Sequence, residues 1–204
     1  MKGIGLLILA GIAVAIAANQ AGAATFVPNW LSPDPEPDTG SIPLDPGMQG
    51  PAIMDSTLTK RIDALLATIR KFESGDRYNI IYGGRTFASF ADHPRIRVPI
   101  NLPGYAGRSS DAAGAYQFLS TTWDSYKRKL ALPDFSPASQ DAAAAAYLAD
   151  LRAVAALDAG DVALALTRAS RAWASLPGST AGQNPQRMNN ALAAFDTALS
   201  QSSA

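Results

Sequence analysis

Glu73 is the residue of this chain best suited to acid–base chemistry. It is the only glutamate after residue 54, where every other acidic residue is an aspartate. The sequence Ser74-Gly75-Asp76 follows it, at a junction between a predicted helix and a predicted β-hairpin. A carboxyl group at the mouth between a helix and a small sheet suits a general acid that protonates a glycosidic oxygen. A glutamate at a helix end can equally be a solvated surface acid.

Three aspartates are candidates for a second catalytic carboxylate: Asp76, Asp92 and Asp111. Each of them can equally be a turn or helix-cap residue. Because spacing along the chain does not give the separation of two carboxyl groups in space, the residues alone leave the number of catalytic carboxylates open.

The single histidine and several aromatic residues are further candidates. His93, in Asp92-His93-Pro94-Arg95, could act as a base, but the chain has no serine elbow and no cysteine for it to activate. We therefore favour a structural loop histidine. Five aromatic side chains could stack on sugar rings: Tyr82, Tyr105, Tyr116, Trp123 and Trp173. The two tryptophans lie at helical positions that are more typical of a core.

A helix must position Glu73. Apolar residues recur there at helical spacing, namely Leu58, Ile62, Leu65, Leu66, Ile69 and Phe72. The helix is predicted to begin near Ser56 or Thr57 and to stop at Gly75. Glu73 then lies at the helix C-terminus, where the macrodipole disfavours a carboxylate and is expected to raise its pKa. We expect this side chain to be only partly buried.

The remaining pattern predicts an α+β fold that is predominantly α. Tyr78–Phe90 is β-rich, and Gly83-Gly84 can form a tight hairpin turn. Residues from His93 to Gly107 read as a loop. Four further helices are predicted, one from Ser120 through Leu130, then Pro137–Leu157, Asp161–Leu176, and a last one from Asn184-Pro185 to Leu199.

The composition excludes several classes of protein. The chain has 204 residues, with 17 basic and 17 acidic side chains, no cysteine and one histidine. Disulfides, thiolate nucleophiles and His-rich metal sites are therefore excluded. A nucleic-acid-binding protein would normally carry a clear basic excess, so we expect no nucleic-acid partner. We expect no cofactor, no metal ion and a monomer.

Residues 1–54 are expected to precede the folded domain, which we place at residues 55–204. Gly3–Ala18 is uncharged and would span about 24 Å as a helix, short of the ~30 Å hydrocarbon core. Together with Lys2 and the small residues near Ala23, it indicates a signal peptide over residues 1–23, or alternatively a weak membrane anchor. Residues 24–54 contain seven prolines and are expected to form a disordered linker.

Four segments together resemble the bacteriophage lambda endolysin family. They are Phe72–Asp76, Tyr78–Arg95, Gly114–Ala144 and Arg171–Gly178, and they follow one another in the same order over some 130 residues. Members of this family are lytic transglycosylases of the lysozyme superfamily that cut peptidoglycan. The resemblance implies a lysozyme-like fold with a small β-hairpin lobe flanking a cleft. Only four residues join Glu73 to Tyr78, fewer than in the family.

The resemblance also implies roles for individual residues. The catalytic glutamate of the family falls on Glu73, which would act as a single general acid and base and leave a 1,6-anhydro product. Gly114-Ala115-Tyr116-Gln117 resembles the Gly-x-x-Gln segment that closes the substrate groove, which places Tyr116 and Gln117 near the sugar. The other residues predicted to bind substrate are Ser74, Tyr82, Asp92 and His93.

Two other functions remain open at this stage. The first is a hydrolytic muramidase in which Asp76 or Asp92 places a water molecule. The second is a non-catalytic wall-binding or virion structural module that keeps the fold. The expected partners are peptidoglycan strands and, through the N-terminal apolar segment, the membrane. We expect an exported protein, periplasmic or tethered to the inner membrane facing the periplasm, or associated with a virion.

Overall fold

The helix that carries Glu73 forms as its apolar spacing predicts. The computed structural model describes residues 56–101, 105–179 and 186–202. Its first helix, α1, spans Ser56–Glu73, and one stripe of it faces the interior. The chain reverses directly after the helix, because Gly75 and Asp76 both have positive φ, 62° and 61°. The amide of Ser74 donates to the carbonyl of Arg70 at 2.9 Å. The predicted stop at Gly75 is confirmed.

The predicted hairpin over Tyr78–Phe90 forms only in part. Gly83 and Gly84 make its turn with φ of 85° and 90°, and the amide of Ile81 donates to the carbonyl of Arg85 at 2.8 Å. The pairing within this segment is limited to one isolated bridge, between Ile80 and Thr86. A tight turn is present, but the regular strands lie elsewhere.

The small sheet lies in sequence that we predicted to be a loop, so that prediction is wrong for residues 98–99. Strand β1 (Val98–Pro99) pairs antiparallel with β2 (Ser109–Ser110), and Val98 lies opposite Ser110. Exposure alternates along this stretch, with Ile100 buried and Pro99 exposed. This period-two pattern is short and contains a proline, which is tolerated only at a sheet edge. The strand is consequently easy to miss.

Five helices follow the sheet, and two predicted boundaries are corrected. The helices are α2 (Ser120–Lys129), α3 (Pro137–Asp150), α4 (Ala153–Asp158), α5 (Val162–Ala169) and α6 (Met188–Gln201). The single helix predicted over Pro137–Leu157 is wrong, because Arg152 adopts a left-handed conformation, φ 59°, and separates α3 from α4. The helix predicted to reach Leu176 ends at Ala169, and turns follow.

The core confirms the structural interpretation of both tryptophans. Trp123 and Trp173 are buried, and Trp123 makes an edge-to-face contact with Phe135 at 4.6 Å between ring centroids. A second, smaller cluster of Tyr82, Ile100 and Ala112 lies beneath the sheet. The described residues therefore form a mainly helical domain with a small β lobe, which confirms the predicted α+β class.

All described residues belong to one compact unit. The second unit, residues 15–53, lies outside the described residues, as do the predicted signal or anchor over residues 1–23 and the predicted linker over residues 24–54. Among the helices that the structure describes, none has the length and apolar character needed to span a bilayer.

A buried glutamine fixes the turn that begins at Gly114. The side chain of Gln140 accepts from the amide of Ala115 at 2.8 Å and donates to the carbonyls of Phe135 and Tyr78 at 2.7 and 3.1 Å. Gly114 has φ 79° and lies against this amide. A Cβ added at Gly114 would overlap Gln140 Oε1 and lie 2.8 Å from its Cδ. Only glycine fits, because Gln140 is held by three hydrogen bonds and cannot retreat.

We predict that Gly114→Ala lowers the free energy of unfolding by at least about 2 kcal/mol, since left-handed strain and overpacking act together. Gly160→Ala is the matched control, because Gly160 has the same φ of 79° and open space around its added Cβ. It should cost only the backbone strain, about 1 kcal/mol. Urea unfolding of the two variants measures the difference, and equal losses would contradict the clash with Gln140.

Candidate active site

Glu73 lies deeper in the protein than its position at a helix end predicts. Its exposed fraction is 2%, so the expectation of a partly buried side chain is wrong. The hydroxyl of Ser175 donates to Oε1 of Glu73 at 2.5 Å, and the two residues are 102 positions apart. A carboxyl group removed from water needs hydrogen bonds to offset the loss of hydration. The turn after α5 supplies one of them.

The segment that carries Ser175 is held by Trp173. The indole Nε1 of Trp173 donates to the carbonyl of Tyr116 at 3.0 Å. Its ring packs between Tyr116 and Tyr147, with centroid separations of 6.4 and 5.4 Å. Ser175 follows two residues later, so its position depends on the packing of this tryptophan.

The helix that carries Glu73 is held by the same tyrosine. Arg70, one helical turn before Glu73, donates through Nη1 to the hydroxyl of Tyr116 at 2.9 Å. That hydroxyl donates to Oδ1 of Asp141 at 2.5 Å. Burial and the neighbouring Asp141 raise the pKa of Tyr116 well above its usual range, so the phenol keeps its proton and remains a donor.

Asp141 accepts hydrogen bonds from several polar groups around Tyr116. Tyr78 donates its hydroxyl to Oδ1 and Oδ2 of Asp141 at 2.8 and 3.0 Å, and Arg70 lies 3.4 Å from Oδ1. Burial and the bond to Asp141 raise the pKa of Tyr78 as well. These contacts tie α1, the turn at Tyr78, the turn at Tyr116 and α3 to one carboxylate.

Gln117 ends the Gly114-Ala115-Tyr116-Gln117 turn in an unusual state. Its φ is 48°, a left-handed conformation that is uncommon outside glycine, asparagine and aspartate. Its Nε2 donates to the carbonyl of Gly114 at 2.9 Å. Its Oε1 is buried and has no hydrogen-bond partner among the described residues. Strained backbone and an unsatisfied buried oxygen are features that collect at functional sites.

The remaining predicted substrate residues near Glu73 make structural contacts. Ser74 is buried and donates its hydroxyl to the carbonyl of Arg70 at 3.0 Å, which caps the end of α1. Tyr82 is buried with Ile100, and its amide donates to the carbonyl of Ala112 at 2.8 Å. Burial raises the pKa of the Tyr82 phenol. Contacts of these residues with a glycan remain predictions.

Asp92 and His93 fasten the loop before the sheet. Oδ1 of Asp92 accepts from Trp123 Nε1 at 2.9 Å and from Lys127 Nζ at 3.0 Å. Partial burial would by itself raise the pKa of Asp92, but its hydrogen bonds outweigh burial and hold the pKa well below its usual range. His93 is buried, with Nε2 2.9 Å from the carbonyl of Phe118 and Nδ1 accepting from the amide of Arg95 at 3.1 Å. Both ring nitrogens of His93 are thus engaged, one within the loop by Arg95 and the other by Phe118, which precedes α2.

The other two candidate carboxylates also have structural partners. Asp76 is exposed and lies 3.6 Å from Nε of Arg70. Asp111 accepts from the hydroxyl of Ser120 at 2.6 Å, at the first residue of α2. Three acidic or histidine side chains do not converge on a metal site anywhere in the described ranges.

Sequence reasoning missed the residues that hold Glu73 in place. Ser175 lies in sequence that reads as helix, and Asp141 and Gln140 lie in an alanine-rich helix with no other chemical signal. The family resemblance covered both segments, Gly114–Ala144 and Arg171–Gly178, but it gave none of these three residues a role. A contact between residues 102 positions apart has no local pattern that could reveal it.

Comparisons with known proteins point to one family. The sequence model of the family described as Endolysin matches residues 63–202. The endolysin of Escherichia phage lambda is 41% identical over 121 residues, which cover 59% of this chain and 74% of that protein. The endolysin of Escherichia phage P2 is 35% identical over 127 residues, covering 59% and 77%.

Two solved structures of a lysozyme are similar to this chain. The structure of bacteriophage lambda lysozyme in complex with a chitohexasaccharide is 35% identical, with a TM-score of 0.61 over 72% of this chain and 97% of that one. A second structure of lysozyme from bacteriophage lambda gives a TM-score of 0.60 over 68% and 94%. The fold is therefore that of a lysozyme-type glycosidase.

The chain belongs to the endolysin family. This confirms the family that the four sequence segments indicated. It also confirms the predicted enzyme class, a lysozyme-type enzyme that degrades peptidoglycan.

His93 gives a test of the structural loop. Burial lowers its pKa below the ordinary 6.5, so the unfolded chain binds more protons near pH 6 than the folded chain does. We expect His93 to add stability that is present above pH 6.5 and is lost as the pH falls through its folded pKa, at up to about 1.4 kcal/mol per pH unit.

The chain has one histidine, so a proton NMR titration reports this group without ambiguity. We expect an imidazole pKa below 6.5. His93→Gln, which keeps a donor and an acceptor but does not titrate, should lose less stability than wild type between pH 7 and pH 5. A measured His93 pKa at or above 6.5 would contradict a buried ring with both nitrogens hydrogen-bonded.

Proposed function

We propose that this protein is a peptidoglycan lytic transglycosylase that uses Glu73 as its single general acid and base. The observation that carries the proposal is the placement of Glu73. It is the one glutamate of the described residues, it is buried at the end of α1, and Ser175 holds one of its oxygens from across the domain. A glutamate at this position in a lysozyme-type fold suits proton transfer to a glycosidic oxygen.

The proposed reaction begins with proton transfer from the carboxyl of Glu73 to the oxygen of the bond after N-acetylmuramic acid. The bond from C1 to that oxygen breaks, and the leaving sugar departs as an alcohol. The 6-hydroxyl of the same muramic acid then attacks C1, and the Glu73 carboxylate accepts its proton. A 1,6-anhydro ring forms, no water is consumed, and Glu73 returns to its starting state.

The contacts of the aspartates favour this route over hydrolysis by paired carboxylates. Oδ1 of Asp92 is taken by Trp123 and Lys127, and its Oδ2 is paired with Arg95. A hydrolase of this type needs a second carboxylate that places a water or attacks C1. Asp76, the nearest aspartate in sequence, is engaged with Arg70. A hydrolytic muramidase is the second candidate, and the same variants test it.

The substrate assignment extends the comparison with lambda lysozyme, whose structure contains a chitohexasaccharide. We propose that a glycan strand binds between α1 and the β lobe, beside the turn from Gly114 to Gln117. Gln117 ends this turn with a left-handed backbone and an unsatisfied buried Oε1, features that collect at functional sites. This supports the predicted role of Gln117 in substrate binding.

Glu73→Gln should abolish wall lysis, because it removes the transferable proton and keeps the size of the side chain. We expect a loss of about 10² to 10⁴ in rate. The measurement is turbidity loss of purified cell walls, with circular dichroism and Tm to show that the variant is folded. Activity above about a tenth of wild type in the folded variant would refute the assignment.

Asp76→Asn is the discriminating control. Asp76 is exposed, so the substitution leaves the core intact, and intramolecular attack by the 6-hydroxyl needs no second carboxylate. We expect most of the activity to remain. Inactivation as complete as in Glu73→Gln would move the assignment to a two-carboxylate muramidase.

The products separate the two reactions directly. A transglycosylase releases muropeptides with anhydro ends, and each is lighter by one water than its hydrolysed equivalent. We expect anhydro muropeptides to dominate the mass spectrum of a digest by the purified protein. Reducing ends in their place would establish hydrolysis.

Delivery to the wall is a separate proposal that rests on residues 1–54, which lie outside the described residues. We propose that this segment exports the enzyme, and the linker would reach up to roughly 95 Å if fully extended. N-terminal sequencing of protein recovered from the envelope of a Gram-negative cell distinguishes a cleaved signal, with a start at Ala24, from a retained anchor, with Met1 intact. Full-length protein found only in the cytoplasm would exclude both.

A further inference from the structure

We infer that Ser175 and Tyr116 are positioning residues that hold the carboxyl group of Glu73 in one orientation through both halves of the reaction. The inference rests on the proposed function of Glu73. The Ser175 hydroxyl donates a hydrogen bond of 2.5 Å to Oε1 of Glu73. Further contacts fix the positions of both residues.

Both ends of the Glu73–Ser175 contact are anchored on Tyr116. On the side of Glu73, Arg70 of the same helical turn donates to the Tyr116 hydroxyl at 2.9 Å. On the side of Ser175, Trp173 donates to the Tyr116 carbonyl at 3.0 Å. Tyr116 therefore contacts both the helix that carries Glu73 and the segment that carries Ser175.

Tyr116 is itself held from three directions. Its hydroxyl proton goes to Asp141, and its ring is 1% exposed. The backbone turn around it is fixed at Gly114 and at the amide of Ala115, which donates to Gln140 at 2.8 Å. A displacement of Tyr116 would therefore move α1 and the Ser175 segment relative to each other. Since the Tyr116 hydroxyl is fully used within this network, its effect on the reaction should be exerted through Glu73.

A serine hydroxyl suits a carboxyl group that must alternate between two protonation states. The hydroxyl can donate to the ionised carboxylate and can also accept from, or continue to donate to, the protonated acid. A fixed cation at the same place would favour the ionised form alone and would weaken the acid. Ser175 can thus keep its contact before and after proton transfer, so Glu73 does not have to be repositioned within the turnover.

The first test is the pair Ser175→Ala and Ser175→Thr, assayed with soluble peptidoglycan strands. Losing a hydrogen bond to a charged group and the orientation that it enforces should lower kcat of Ser175→Ala by about 10- to 100-fold, with KM within about twofold of wild type. Ser175→Thr keeps the hydroxyl and should recover activity to within a few-fold. Ser125→Ala, which removes an exposed hydroxyl that donates to the backbone carbonyl of Thr121, should match wild type.

The pH profile adds a readout that a purely structural role would not move. The Ser175 hydroxyl donates to the ionised carboxylate, so its removal disfavours that form. The limb of the kcat/KM profile that follows Glu73 should therefore move to higher pH in Ser175→Ala, measured at a temperature at which circular dichroism shows both proteins to be folded. In a Glu73→Gln background, Ser175→Ala should cause no further loss, because no acid remains to be positioned.

Tyr116→Phe separates positioning from substrate binding. The substitution removes the hydroxyl that accepts from Arg70 and donates to Asp141. The helix that carries Glu73 is then held less firmly, so kcat should fall while KM stays unchanged. A rise in KM at constant kcat would instead make Tyr116 a substrate-binding residue and would overturn its positioning role. A folded Ser175→Ala enzyme with wild-type kcat and pH profile, or a folded Ser175→Thr enzyme as slow as Ser175→Ala, would overturn the role of Ser175.

These failures are distinct from a failure of the proposed function. If Glu73→Gln is inactive and Ser175→Ala is fully active, only the positioning inference is lost. If Glu73→Gln is itself active, the assignment of Glu73 fails, and the inference fails with it.

Discussion

The burial of one carboxyl group at the end of α1 is the constraint on which the rest of this domain depends. Glu73 is 2% exposed at a helix C-terminus, where both the loss of hydration and the helix dipole disfavour its charge. A hydrogen bond from Ser175, 102 residues away, offsets part of that cost. The bond exists only when the helix and the turn after α5 are in register, so the tertiary structure has to be complete before the site is.

That register is maintained by polar groups in the core. Gln140 is wholly buried and satisfies three backbone groups, among them the amide of Ala115 and the carbonyl of Tyr78. Gly114 supplies the space beside it that a side chain would fill. Buried polar networks of this kind are costly when incomplete and specific when satisfied, because each partner accepts only one arrangement. The Gly-x-x-Gln segment is therefore held in place by α3, an element that is distant from Glu73 in the sequence.

Local sequence pattern predicted those elements that depend on neighbouring residues, and it missed the features that depend on tertiary contacts. The apolar stripe of α1 and the stop at Gly75 were predictable, because they depend on residues within a few positions of one another. The break at Arg152 was not, because a left-handed residue other than glycine carries no local signal. Strand β1 was hidden by Pro99 and by its length of two residues. Glu73 could be singled out from the sequence as the domain's only glutamate, whereas Ser175, Asp141 and Gln140 act through contacts across 25 to 102 positions in the chain.

The contacts of Arg70 and Ser175 suit the proposed role of Glu73 as an acid. A guanidinium bonded to the carboxylate would stabilise its ionised form and remove its ability to donate a proton. Arg70 lies one helical turn away, and its guanidinium is engaged by the Tyr116 hydroxyl, Asp141 and Asp76. The partner presented to Oε1 of Glu73 by the turn after α5 is a neutral hydroxyl. Asp141 and Asp76 thus hold the Arg70 guanidinium in a network of its own, while a hydroxyl group holds one oxygen of Glu73.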